Sequence, residues 1–436
     1  MDEASSAVLS PDVVGTSLLD QKLKKSSPGK IGLIIFGLVL LGGIGYAGAH
    51  LASDLAGTHL ISAWPYVLLG IALLIALGFE FVNGFHDTAN AVATVIYTHS
   101  LEPHIAVVWS GMWNLIGVLT SSGAVAFTIL SLLPVELVLQ VGRGAGFAMV
   151  FALLVAAILW NLSTWWFGLP ASSSHTLIGS IIGVGLANQL MNPHTGTSGV
   201  DWAQAGGVFR TLLISPLVGF GCAAILLLIL KFLVRDPALY QSPKGEEPPP
   251  FWIRGLLILT CTGVSFGHGS NDGQKGMGLI MLILIGTVPT AYALNHAMGY
   301  SQVQDFAAVS EQAAHVLSGY VSPNSVISDA RSDLTDYIRS KDFNPNTMLA
   351  ARQMTVEIEN EVAAYKTLSN VPANQQQNVR NDMYVMSEAL RLIAKAGKPS
   401  FTPAENAILA NYRKHLDLST KFIPSWVKVE IGRAHV

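Results

Sequence analysis

Between residues 31 and 230 the chain carries only two Lys or Arg residues, Arg143 and Arg210, within a succession of long apolar runs. Such a stretch has few folds open to it. A hydrocarbon core about 30 Å thick is crossed by roughly 20 apolar residues in a helix. In lipid, backbone N–H and C=O groups must bond within their own segment, which a helix allows. At 51% hydrophobic and 12% charged over 436 residues, the composition is that of a membrane protein rather than a soluble domain. Candidate spans are 31–51, 65–83, 104–133, 145–167, 173–191, 207–233, 253–267 and 276–296, giving an all-α polytopic membrane protein embedded in a lipid bilayer. Trp64, Trp165, Trp166, Trp252 and Trp426 fall near span ends, where an aromatic belt is expected.

The flanks set the expected topology. Residues 1–30 are polar, and Lys22, Lys24, Lys25 and Lys30 precede the first run without a cleavage site, so this tail is expected in the cytoplasm. The region 31–233 reads as a first transmembrane repeat. The stretch 234–252, with its prolines and mixed charges, reads as a solvated linker, and 253–300 as the start of a second repeat. From 301 to the end there are fourteen Lys and Arg residues. Met354, Ile358, Val362 and Tyr365 recur at helical spacing, and Thr402-Pro403-Ala404-Glu405 is a capping box with proline at the first helical position. Residues 301–423 are therefore expected to be a soluble helical insert, on the cytoplasmic side like the linker. For both to share a side, 253–296 must re-enter or cross twice, with a break at 267–278. Residues 83–90 would break their own segment in the same way. Cys222 and Cys261 sit in apolar runs and suggest neither a disulfide nor a metal. Residues 424–429 read as the start of another helix, whereas 430–436 resemble a translated sequencing adapter. The authentic chain is therefore expected to continue past about 429, with its C-terminal helices missing here.

Two polar sequences interrupt the apolar runs in matching form. Phe81-Val82-Asn83-Gly84-Phe85-His86-Asp87-Thr88-Ala89-Asn90 and Phe266-Gly267-His268-Gly269-Ser270-Asn271-Asp272-Gly273-Gln274-Lys275 share Phe, Gly and Asp at equal offsets. A carboxylate within a span costs about 3 kcal/mol on insertion scales, so a repeated one points to a solute site rather than to structure. Asp87 and Asn90 share a helical face, and carboxylate with amide oxygens is a hard-cation set, suited to sodium or to proton exchange. In the second copy Asn271 and Asp272 repeat the theme, and Gln274 and Lys275 follow. Lys275 would neutralise Asp272 or meet an anion; snorkelling to the membrane surface is its bland alternative. In a third stretch, Pro170-Ala171-Ser172-Ser173-Ser174-His175, a proline ends one helix and hydroxyls open the next. Such a helix start binds anions, although plain N-capping also accounts for serines. Neither Gly267-His268-Gly269 nor Gly273-Gln274-Lys275-Gly276 completes a nucleotide loop. His86, His175 and His268 fit no metal spacing, so no metal site and no cofactor are expected. Cation and anion groups together suit cotransport, in which the cation offsets the cost of bringing an anion into low dielectric.

At these residues the sequence resembles the inorganic phosphate transporter (PiT) family, with 83–98 and 268–283 most like its bacterial low-affinity permeases. The resemblance implies two inverted-topology repeats with broken or re-entrant helices, phosphate bound near the midplane, and symport with protons or sodium. Carried over by position, Asp87, Asn90, Asn271 and Asp272 would serve the ions and phosphate, with sodium as one candidate there, and Ser172, Ser173 and Ser174 would meet phosphate. The chain departs from the family pattern at His86, where Asn is common, and at Gln274-Lys275. It also lacks a second serine/threonine-histidine motif. The reading is a secondary active phosphate symporter of the bacterial inner membrane, not an enzyme. Its partners are inorganic phosphate, or a metal–phosphate complex, and the bilayer. No nucleic acid is expected, and a homo-oligomer is left open. Proton coupling would use Asp87 or Asp272, assisted by His86. A sulfate or other oxyanion permease of the same architecture is the alternative.

Overall fold

A computed structural model describes residues 30–56, 64–130, 132–133, 138–139, 144–169, 171–191, 200, 202–241 and 247–434. The N-terminal tail expected in the cytoplasm lies outside them, apart from residue 30. The described residues form helices and no strand. In chain order they are α1 (Lys30–Leu55), α2 (Trp64–Tyr97), α3 (Pro103–Thr120), α4 (Ala124–Leu130), α5 (Gly144–Trp166), α6 (Ser173–Met191), α7 (Trp202–Leu233), α8 (Phe251–Thr287) and α9 (Pro289–Tyr292). After them come α10 (Tyr300–Ser318), α11 (Ala330–Ser340), α12 (Pro345–Tyr365), α13 (Gln376–Ala396), α14 (Pro403–Thr420) and α15 (Ser425–Ala434).

Four described helices are long and apolar enough to cross a bilayer: Gly37–Leu55, Tyr66–Tyr97, Gly146–Trp166 and Gln204–Leu233. Leu217, Phe220 and Leu228 on α7 stand 69%, 77% and 66% exposed. So large a bare apolar surface is a lipid-facing one. The chain is an integral membrane protein.

Two expected breaks are absent. α2 runs unbroken through residues 83–90, and α8 runs unbroken through 267–278. At 34 and 37 residues they extend roughly 50 and 55 Å. The span expected at 253–267 and most of that expected at 276–296 are thus one helix, ending at Thr287. The linker and the insert consequently leave from opposite ends of α8, and the re-entrant route to a shared side does not exist in this arrangement. The glycines act as spacers rather than breakers. A Cβ on Gly269 would lie 2.7 Å from Asn114 Cα, one on Gly273 would meet Val118 Cγ2 at 2.5 Å, and one on Gly278 would meet the Ala126 carbonyl oxygen at 2.8 Å. Small residues let membrane helices approach to backbone distance, while a continuous helix keeps every N–H and C=O bonded.

The span expected at 104–133 is also divided. α3 stops at Thr120, and Gly123 turns the chain with φ 82° before α4. The side chain of Gln274 fixes this turn, its Oε1 accepting from Val125 N at 2.9 Å.

Residues 300–420 pack as α10–α14 around their own apolar core, which includes Phe306, Met354, Ile358, Val362 and Tyr412. Thr402 caps α14 as its sequence implies. The ends of this unit meet, with Asn295 N donating to Ser419 O at 2.9 Å. α13 holds it to the membrane helices: buried Arg380 lies 4.9 Å over the Tyr384 ring and donates to Val138 O at 3.2 Å. Trp426 is no belt residue. It is buried on α15, and its Nε1 donates to Asp54 Oδ2 at 3.2 Å beside the Tyr292 hydroxyl, which donates to the same oxygen at 2.6 Å.

Candidate functional site

α2 and α8 cross in opposite directions. Arg254 Nε, near the start of α8, donates to Ser100 O just past the end of α2 at 2.7 Å. Further along, Asp87 faces His268 and Asp272, and deeper still Glu80 faces Gly276. Numbers that rise on one helix meet numbers that fall on the other. The two matching polar sequences therefore meet face to face.

His268 stands at the meeting point. Its Nε2 is 3.4 Å from Asp87 Oδ2 and 3.6 Å from Asp272 Oδ2. Its Nδ1–H donates to Asn114 Oδ1 at 3.1 Å, an acceptor fixed because Asn114 Nδ2 donates to Ser110 O at 3.2 Å. A ring whose Nδ1 carries a proton presents Nε2 to the carboxylates as a lone pair or, protonated, as a cation. Two carboxylates this close need positive charge between or beside them. Lys275 supplies one charge from the next turn of α8, its buried Nζ donating to Asp272 Oδ2 and to Ser174 Oγ. Ser173, at the start of α6, donates to Asp87 Oδ2 at 3.0 Å. Lys275 therefore does not snorkel.

These groups border a cavity of about 260 Å³ lined by Asp87, Thr88, Asn90, Asn114, Ser172, Ser173, His268 and Asp272 with three apolar neighbours. A single water needs about 15 Å³ of such space, so a polyatomic solute fits with water to spare. Ser172 also borders a larger, mainly apolar groove of about 890 Å³ between α5 and α6. One atom each from Asp87, His268 and Asp272 can lie within 4.8 Å of one another, which makes these three a candidate set for a cation.

The expected residues are sorted unevenly. Asp87, Asp272, Ser172 and Ser173 line the cavity and Asn90 sits at its exposed rim, while Ser174 and Lys275 close it from behind. The four-residue sodium set does not converge, because Asn271 is exposed and outside the lining. Next to Asp272 in sequence, it points about 100° around the helix. Gln274 also faces away, its amide being spent on Val125 N and Ser270 O. His86 reaches only 3.7 Å from Asp87 Oδ1, and His175 lies in the apolar groove. Of the three histidines, only His268 lines the cavity and reaches both of its carboxylates. Its ligand-like partners come from two helices, which a spacing test along one sequence cannot detect. Sequence reasoning also passed over Asn114 and Ser110. Their signal was available: polar residues one turn apart inside an apolar span.

Residues 83–315 match the phosphate transporter family (PHO4). The chain belongs to the phosphate transporter family. This transporter is 37% identical over 388 residues to the low-affinity inorganic phosphate transporter PitA of Escherichia coli K12, covering 84% of this chain and 76% of that protein. It is 45% identical over 239 residues to a low-affinity inorganic phosphate transporter of Buchnera aphidicola from Acyrthosiphon pisum, covering 52% of this chain and 49% of that one. A probable low-affinity inorganic phosphate transporter of Bacillus subtilis is 36% identical over 222 residues, 50% and 61% of the two chains. These relatives are named as transporters, not enzymes. No solved structure matches.

Proposed function

We propose that this transporter takes up inorganic phosphate across the bacterial inner membrane by symport with protons or sodium. The names of its relatives support phosphate as the solute. The observation that carries the mechanism is the antiparallel crossing of α2 and α8, with Asp87 and Asp272 converging on one imidazole. With His268 neutral, Asp87, Asp272 and Lys275 sum to a negative cavity, and phosphate is an anion. The energy of unit charges a few ångströms apart grows steeply as water is excluded, so the anion enters only with cations. Symport follows from that imbalance. Ser172 offers its hydroxyl, and the α6 N-terminus its backbone donors, to phosphate oxygens, while the Ser173 hydroxyl stays on Asp87. Asp87, His268 and Asp272 would ligate a divalent ion if the solute is a metal–phosphate complex, since imidazole and carboxylate together suit such ions.

Two motif-bearing helices running in opposite directions are what an inverted repeat produces, and a site between repeats is exposed alternately as one half rocks on the other. Phosphate uptake into proteoliposomes, with proton and sodium gradients imposed separately, tests the reading. Accumulation above the external concentration under one gradient is expected. Uptake that never exceeds equilibration under either gradient would make the protein a channel, and sulfate outcompeting phosphate would change its substrate.

A further inference from the structure

Glu80 lies on α2, two turns before Asp87, and is fully buried. Seven residues of helix return to nearly the same face about 10 Å further along, so Glu80 looks toward α8 as Asp87 does. The α8 backbone makes room for it. A Cβ on Gly276 would come 2.5 Å from Glu80 Oε1 and closer still to Glu80 Cδ and Cγ. Gly276 follows Asp272 by one helical turn, so the carboxyl group sits one turn deeper than the cavity, between protein helices rather than in lipid. Asn83 lies between the two acidic residues on the same helix. It is fully buried, and neither its Oδ1 nor its Nδ2 has a hydrogen-bond partner among the described residues. An unsatisfied buried amide costs about 1–3 kcal/mol, and a carboxyl group at membrane depth marks an ion or proton path by default.

We propose that Glu80 is the proton-carrying group of the transport cycle, linked to the solute cavity through Asn83. The inference rests on the symport reading and assigns its coupling ion. Asp87 and Asp272 are committed to donors within the cavity, Ser173 and Lys275. Glu80 lies one helical turn deeper than those groups, opposite Gly276. A carboxyl oxygen of Glu80 takes a proton while the cavity faces outward and releases it when the cavity faces inward. The charged and titratable groups on the elements packed against it are Tyr66, His86, Asp87 and Tyr97 on α2, His104 on α3, Arg254, Cys261, His268, Asp272 and Lys275 on α8, and Lys428, Glu430 and Arg433 on α15. The described residues of α5 carry none.

The test compares two modes of the protein in proteoliposomes: phosphate exchange at equal pH, and accumulation driven by a pH gradient. Glu80→Gln is expected to keep exchange within about threefold of the unmodified protein and to lose accumulation, its ratio falling to unity. Glu80→Asp keeps a titratable group and is expected to retain accumulation with a displaced pH profile. Full pH-driven accumulation by Glu80→Gln overturns the proposal, as does equal loss of exchange and accumulation in a variant that elutes and melts like the unmodified protein. If Glu80→Gln does not fold, the Glu80→Asp profile decides: a shift supports the proposal and an unshifted profile overturns it. Accumulation by the unmodified protein under a sodium gradient alone also overturns it while leaving phosphate symport intact. Failure of the unmodified protein to exchange phosphate refutes the function itself instead.

Discussion

Replacing Gly269 by alanine tests whether the two acidic centres are held together by backbone contact between α3 and α8. An ideal Cβ on Gly269 would fall about 0.7 Å short of the 3.4 Å at which ordinary contact with Asn114 Cα begins, and closer still to the Asn114 carbonyl oxygen. Both obstacles are backbone, so neither can swing aside. The helices must part by at least that shortfall, and overpacking of this kind costs roughly 1–3 kcal/mol. His268 moves with α8, and its 3.4 Å contact with Asp87 would stretch past the 4 Å limit of an ion pair. Gly267→Ala is the control. A Cβ there meets nothing within 4 Å, and alanine in place of glycine in a helix gains roughly 1 kcal/mol. Thermal unfolding in detergent and phosphate uptake in proteoliposomes read the pair. Gly269→Ala is expected to melt lower and to lose most uptake, and Gly267→Ala to melt at or above the unmodified protein with uptake intact. Equal melting and equal uptake for both variants would refute the idea that close approach sets the site.

Asp87→Asn keeps the shape of the side chain and removes the charge; accumulation should vanish while membrane insertion, read by fractionation, is unchanged. Ser173→Ala deletes a hydrogen bond to a carboxylate worth about 1.5–3 kcal/mol, so half-saturation for phosphate should rise about tenfold in uptake kinetics. Arg380→Ala removes the buried guanidinium that reaches Val138 O and covers Tyr384; a loss of about 2–3 kcal/mol should appear in denaturant unfolding, and Arg380→Lys should not restore it. Burial and the neighbouring Asp382 push the Glu361 carboxyl on α12 up to about 7, against an opposing pull from Arg331. A raised acid binds more protons folded than unfolded, so stability falls as pH rises from about 4.5 to about 7 and the loss is complete above that window. Because the group is only half buried, about 1–2 kcal/mol is at stake; Glu361→Gln should match the unmodified protein in unfolding at pH 5 and exceed it at pH 8.

The sequence alone determined that this chain enters a membrane as helices, because long apolar runs with two Lys or Arg residues leave the backbone no other way to satisfy itself in lipid. It also singled out two acidic motifs and a hydroxyl-rich helix start, because the cost of burying such groups is a property of residue type and local context. Tertiary structure decided which of those side chains share a cavity. Asp87, Asp272 and Ser173 do, whereas Asn271 and Gln274 do not, a difference of helical phase and of packing partner. The glycines of α8 carried a misleading local signal: glycine favours breaks when nothing opposes it, but here the gaps at Gly269, Gly273, Gly276 and Gly278 are filled by neighbouring helices, which rewards an unbroken backbone. Asn114 and His268 join across 154 positions of sequence. No local pattern records a pairing of that range; only the close crossing of α3 and α8 creates it.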